Sequence, residues 1–256
     1  MNTPDPKREY FGTALNPFSF QQWLDAIGTS LESGKRRHLS AHHNLHSLYL
    51  LRRNNSIAEF YRRCDDCYID GMPVRLILAG FGENTSAAQR FSLMDRFQEL
   101  LAHAQAQKWR IYYLGSKEAV SDRSRELIAQ QFPTLEIVLN HGYFTDNAAV
   151  IAEINELRPD LLLVGMGMPR QECWLLENLE LLDIGCATQA GASLDYYADA
   201  QAQPPYWISR LGFAWLYRLV KDPVRLWRRY LLEPWHLLPP TLRQWYRHRA
   251  AGRAGV

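Results

Sequence analysis

A carboxylate, an unbroken apolar run and a glycine-rich break follow one another in Pro159-Asp160-Leu161-Leu162-Leu163-Val164-Gly165-Met166-Gly167-Met168-Pro169-Arg170-Gln171-Glu172. No other stretch constrains the fold as tightly. It reads as a buried strand that ends in a tight turn and opens a helix. Pro169 suits the first helical turn, where its missing N–H is no loss. Gly165 and Gly167 let backbone N–H groups come close to a ligand. A helix start also offers unpaired donors and a partial positive charge, which suit a phosphate. The stretch lacks the dinucleotide pattern G-x-G-x-x-G and the lysine of a P-loop. A strand–helix turn with no ligand is the alternative reading.

The same unit recurs along the chain. Helices are expected over 17–33, from Leu45, over 56–64, 87–107, 118–131, from Thr145 or Asp146, and over 170–181. Strands are expected over 37–42, 67–69, 110–115, 135–139, 160–164 and 184–188. Strands alternating with helices imply a mostly parallel sheet covered on both faces. Ligands of such sheets sit beyond the carboxyl ends of the strands. Gly71, Gly115, Gly142, Gly165 and Gly191 all follow strands and can rim one cleft.

Past Pro205 only helical patterns remain, so the division expected is 1–204 for the α/β body and 205–256 for a helical appendage. Trp207, Ile208, Leu211, Trp215 and Leu219 fall on one face. Asp222-Pro223 reads as an N-cap with proline at the first helical position. Pro234, Pro239 and Pro240 are expected to break the chain before a last basic helix.

The formal net charge of +2 hides an asymmetry. Residues 201–256 carry a balance of +8, and the preceding 200 carry −6. Five of the eight tryptophans (Trp207, Trp215, Trp227, Trp235 and Trp245) also lie in that tail. A basic, tryptophan-rich terminus on an acidic body points to an anionic surface as partner rather than a nucleic acid. The N-terminal residues contain no apolar signal-peptide core. No apolar run is long enough to span a bilayer. The four cysteines fit a reduced compartment. Cys64 and Cys67 form a lone C-x-x-C that would need a second close ligand pair to hold zinc.

Taken together, several ordered motifs resemble the WecG/TagA/CpsF family of bacterial glycosyltransferases. They are Asn44, Asp70-Gly71, Tyr113-Leu114-Gly115, His141-Gly142-Tyr143-Phe144, the glycine-rich stretch above, Asp195, Trp215-Leu216-Tyr217-Arg218 and Pro223-x-Arg225-Leu226-x-Arg228-Arg229-Tyr230. The resemblance implies a Rossmann-like body and a C-terminal basic, all-helical appendage. It implies inverting transfer from a UDP-sugar to a polyprenyl-diphosphate-linked saccharide, with no cofactor and no metal. The donor sugars in view are N-acetylmannosamine, its uronic acid and glucose. The implied location is cytoplasmic, peripheral on the inner face of the bacterial membrane. Oligomeric state stays open.

The same resemblance assigns residues. Asp70 is the candidate general base, since inversion needs a carboxylate to take the acceptor hydroxyl proton. The rival reading of Asp70-Gly71 is a plain turn. Asn44 matches a pocket asparagine, but His42 stands where the family often has threonine. His42 then either meets substrate or is a structural histidine. Arg90 and Asp95 fit an Arg-x-x-Gly-x-Asp pattern, with Leu93 in place of the glycine. Arg90 can hold a phosphate bidentately. Gln171 can pair with uracil or a sugar hydroxyl, and Glu172 either caps its helix or meets ligand. Asp195 is assigned to donor hydroxyls. Three further departures are Asp199 for a glycine, Gln203 for an arginine and Ala214 for a glutamate. Arg218, Arg225, Arg228 and Arg229 serve the diphosphate, the membrane, or both. The rival functions are a Rossmann-type oxidoreductase and a non-catalytic membrane scaffold.

Overall fold

The structure, a computed structural model, describes residues 8–10, 13–83, 85–201, 204–205, 208 and 213–254. Six strands form one sheet: β3 (His38–His43), β4 (Asp66–Ile69), β5 (Ile111–Gly115), β6 (Ile137–Asn140), β7 (Leu161–Gly165) and β8 (Cys186–Gln189). Their spatial order is β4-β3-β8-β7-β5-β6, and every neighbouring pair is parallel. This is the expected Rossmann-like α/β architecture. Two short N-terminal strands, β1 (Arg8–Tyr10) and β2 (Thr13–Leu15), add an antiparallel hairpin outside the expected set.

The alternation of side chains along the strands builds two cores. Tyr112, Leu114, Leu162 and Val164 face one side; Ile111, Tyr113, Leu161 and Leu163 face the other. The first side is covered by α2 (Leu45–Leu51), α3 (Asn55–Arg63), α4 (Met72–Gly80), α7 (Asn147–Leu157) and α8 (Arg170–Asn178). The second is covered by α1 (Phe20–Glu32), α5 (Phe97–Gln107) and α6 (Glu118–Gln131). Local chemistry sets the helix starts. Ser19 caps α1 reciprocally with Gln22, and Asp146 accepts the N–H of Ala149 at 3.0 Å to cap α7.

Two expected elements differ. The helix expected over 87–107 is a short 3-10 turn, Ala87–Gln89, an irregular link, and then α5. Phe91 and Leu93 in that link are buried in the second core, and burying them fixes the chain off the helical path. Helix α4 is absent from the expected set; Pro73 sits in its first turn.

After the five-residue helix α9 (Ser193–Tyr197), the C-terminal described residues are helical. They form α10 (Ala214–Lys221), α11 (Pro223–Trp227), a π-helical turn (Arg228–Leu232) and α12 (Glu233–Ala254). The chain break expected at the prolines does not occur. Pro234 lies in the first turn of α12, after the π-helical turn. Pro239 and Pro240 lie inside the helix and remove its N–H donors there. Tertiary docking offsets that loss. Leu237 is buried in the first core, Trp245 packs against it, and His46 meets Glu233 at 2.6 Å. Gln203, Trp207 and Leu211 lie outside the described residues.

Candidate active site

The carboxyl ends of β4, β3, β8 and β7 lie side by side, and the site grows from them. β3 runs out into His42, His43 and Asn44. The Asn44 side chain accepts the Ser47 N–H at 3.0 Å, which caps α2. Asn44 is therefore held at the rim by a structural bond. β4 delivers Asp70, whose N–H donates to the His43 carbonyl at 2.9 Å. Gly71 follows with a φ of +95°, the left-handed region that glycine adopts freely. It turns the chain directly into α4.

His42 is buried, and its Nε2 stands 3.8 Å from Asp70 Oδ2. Burial depresses its pKa; Asp70 works the other way, and Arg229 reinforces the depression. Asp95 and Arg218 act electrostatically on Asp70 and on each other. Asp95 is an exposed residue in the link before α5. Desolvation by the surrounding protein raises its pKa, with Arg218 pulling down, Asp70 pushing up and Arg90 pulling down. Burial works against the charge of Arg218, but Tyr196 and Tyr230, then Asp70 and Asp95, raise its pKa overall. The guanidinium of Arg218 lies 5.3 Å over the Tyr196 ring. The Nε atoms of Arg90 and Arg218 are both buried and lack a protein partner. Two such donors beside a carboxylate suit an anionic ligand.

The glycine-rich stretch plays a packing role. A Cβ on Gly165 would meet the Tyr113 hydroxyl at 2.0 Å and the Gly191 carbonyl at 2.7 Å. A Cβ on Gly115 would meet the Gly165 carbonyl at 2.3 Å. Gly142 packs on Gly115 in turn, so four of the five expected rim glycines form one tight edge. The Gly167 N–H is taken by Gln171 Oε1 at 3.2 Å, and the Gly191 N–H by the same atom at 3.3 Å. Gln171 is buried beneath these turns and ties them together. Asp195 accepts the Ser116 hydroxyl at 2.7 Å on the same edge. Asp199 takes a φ of +56°, which explains why a glycine suits that position and an aspartate is tolerated.

The network that ties Glu172 to Gln189 is not legible in the sequence. Glu172 is buried; its Oε1 accepts from Gln171 Nε2 at 2.8 Å and from Gln189 Nε2, while Oε2 has no partner. It lies in the first turn of α8 and is buried rather than open at the rim. Burial raises its pKa; Gln171, its own backbone N–H, Gln189 and Arg229 oppose. Gln189 Oε1 accepts the His42 N–H at 3.0 Å, and the Tyr61 hydroxyl donates to the His42 carbonyl at 2.9 Å. This network joins the Asp70 end to the Gly191 end. The available signal was Gln189 itself, a polar residue closing a buried strand.

The structure thus brings His42, Asp70, Arg90, Arg218 and Arg229 into one electrostatic neighbourhood. Gly165, Gly167, Gln171 and Asp195 lie along the adjoining edge. Arg228 is exposed and stacks on Trp227 at 5.3 Å, outside this neighbourhood. Arg225 lies on α11. Among the described residues, no group of three or more His, Cys, Asp or Glu side chains is arranged to hold a metal ion.

Beside the site, His43 is wedged between the Ser47 hydroxyl at 3.0 Å and the Thr13 hydroxyl at 3.1 Å, and stacks on Tyr61. Burial, aided by His42, pushes its pKa down to about 3. The unfolded chain protonates it near 6.5, so its contribution is intact above that pH and is lost as pH falls toward 3. The full loss is on the order of 4 to 5 kcal/mol. His43→Gln should therefore flatten the fall of the urea midpoint between about pH 6.5 and 4. Parallel curves for variant and parent would contradict this.

Fold and site together define a Rossmann-like α/β protein with carboxylates and arginines gathered at the carboxyl ends of its strands. Residues 8–251 match the Glycosyl transferase WecG/TagA/CpsF family, and the chain belongs to that family. Similar proteins include the N-acetylglucosaminyldiphosphoundecaprenol N-acetyl-beta-D-mannosaminyltransferase of Bacillus subtilis (strain 168), 31% identical over 60% of this chain and 60% of the relative. The enzyme of the same name from Staphylococcus aureus (strain MRSA252) is 28% identical over 55% of this chain and 56% of the relative. The chain spans less than two thirds of the length of these curated relatives.

Proposed function

We propose that the chain is an inverting glycosyltransferase that moves a sugar from a UDP-sugar onto a polyprenyl-diphosphate-linked saccharide in cell-surface polysaccharide assembly. One observation carries this reading: Asp70 and Asp95 both act on Arg218, Arg90 acts on Asp95, and the buried Nε donors of the two arginines lack partners. Asp70 takes the proton of the acceptor hydroxyl as that oxygen attacks the anomeric carbon from the face opposite the leaving group. The bond from the anomeric carbon to the diphosphate oxygen breaks, and UDP leaves with the electron pair. Arg218, Arg90 and Arg229 neutralise the charge that develops there. The names of the relatives support an acceptor bearing diphosphoundecaprenol and an N-acetylmannosamine donor; the uronic acid and glucose remain in the donor screen.

Residues 205–256 act in this reading as an appendage that holds the acceptor and an anionic membrane face. Among the described residues, no helix is long and apolar enough to cross a membrane. Leu216, Val220, Val224, Trp227, Leu231, Trp235, Leu238, Leu242 and Tyr246 are exposed and recur every three or four residues. Such a row beside arginines suits a peripheral seat at the headgroup level on the cytoplasmic side.

The test is a screen of UDP-sugars for UDP release, with and without a polyprenyl-diphosphate saccharide. Acceptor-dependent release supports the reading, and no release with any donor counts against it. Arginines in place of a metal also make a separate prediction. Activity should survive EDTA, and complete loss restored by Mg²⁺ or Mn²⁺ would overturn the metal-free mechanism.

A further inference from the structure

We propose that His42 is a positioning residue for Asp70, the two forming a histidine–aspartate pair across the ends of neighbouring strands. The inference rests on the reading of Asp70 as the proton acceptor. The parallel register pairs His42 with Tyr68 and His43 with Ile69, so the next residue of β4, Asp70, emerges beside the His42 ring. The ring has little freedom. Its backbone is held on one side by Gln189 and on the other by Tyr61, and it packs against Tyr68 at 5.5 Å.

The tautomer follows from the partners. Nδ1 is buried and meets no hydrogen-bonding group, whereas Nε2 points to a carboxylate oxygen at 3.8 Å. The proton of a neutral imidazole belongs on Nε2, facing that acceptor. The separation exceeds a hydrogen bond, and catalytic hydrogen bonds commonly shorten when substrate closes the site. A neutral N–H orients the carboxylate without taking its charge, so Asp70 keeps its basicity. A cation at the same place would hold Asp70 more firmly and make it a weaker base.

The surrounding charges keep the ring neutral. Burial and Arg229 from the C-terminal π-helical turn oppose protonation, and Asp70 alone favours it. His43 on the same strand is itself held neutral. Tyr68 on β4 and Tyr61 on α3 stay protonated, their pKa values raised by burial first. Glu172 on α8 lies behind Gln189, and Asp95 and Arg218 flank Asp70. Protonation of His42 at low pH would put a cation beside Asp70, and activity should fall with it.

The experiment compares His42→Ala and His42→Gln in the full chain, with kcat and KM measured by UDP release across about pH 5 to 8. His42→Ala should lose about 10-fold or more in kcat, with KM for the donor little changed. His42→Gln, which offers an N–H but does not titrate in this range, should recover much of the kcat at neutral pH and displace the acid limb. An alanine variant with the parent's kcat and acid limb would overturn the proposal. So would a glutamine variant as impaired as alanine with the acid limb unmoved. An active Asp70→Asn enzyme would instead remove the underlying reading of Asp70, so the two failures are distinguishable.

Discussion

Replacing Asp70 with Asn should leave the fold and donor binding in place and lower kcat by about 100-fold or more, the scale of a general base. Asparagine keeps the size of the side chain and removes only its capacity to take a proton. The Asp70 N–H to the His43 carbonyl belongs to the backbone and survives the change. The loss should appear in kcat and kcat/KM alike, since proton transfer matters in the transition state and not in donor binding. Removing the carboxylate also withdraws a like charge from Asp95 and a favourable one from Arg218, so donor affinity should hold or rise. Near-normal turnover by the purified variant would sink the assignment and move the role to Asp95, the other carboxylate in reach.

What the sequence discloses and what it hides divides along one line. Features set by neighbours in the chain were legible. The apolar run Leu161–Val164 ending at Gly165 is a strand, and Asp70, His42 and Gly191 do lie at carboxyl ends of strands. Features set through space were not. β8, last in sequence order, inserts between β3 and β7, and only that placement lets Gln189 touch both His42 and Glu172. The glycines were read as places of ligand approach, whereas Gly115 and Gly165 are required by strand-edge packing against Tyr113 and Gly191. Asn44-x-x-Ser47 at a strand end carried a cap signature that the pocket reading passed over. The local cost of proline inside a helix, roughly 3 kcal/mol each, predicts a break at Pro239 and Pro240. The docking of Leu237 and Trp245 onto the core belongs to the other end of the chain and could not enter that estimate.

Truncation before Trp207 should abolish transfer while leaving much of the sheet folded. Every strand of the sheet ends by Gln189, so the hydrogen-bonded framework does not need the lost residues. Two of the arginines in the cut piece reach the site: Arg218 acts on Asp70 and Asp95, and Arg229 on His42 and Glu172. The same piece presents its apolar side chains outward, with Val224 at 87% and Trp235 at 70% exposure. On the proposed reading, joining these two properties in one segment would couple membrane seating to completion of the active site. Replacing Arg225, Arg228 and Arg229 by Ala should weaken binding to anionic vesicles by about 3 kcal/mol, on the order of 100-fold, and high salt should do the same to the intact chain. The single variants separate the two roles. Arg228, exposed against Trp227, should affect vesicle binding with little change in turnover on a soluble acceptor, and Arg229 should affect both. Vesicle binding indifferent to charge and salt, with full activity of the triple variant on a lipid-linked acceptor, would reduce this segment to a packing element on α2 and remove it from the mechanism.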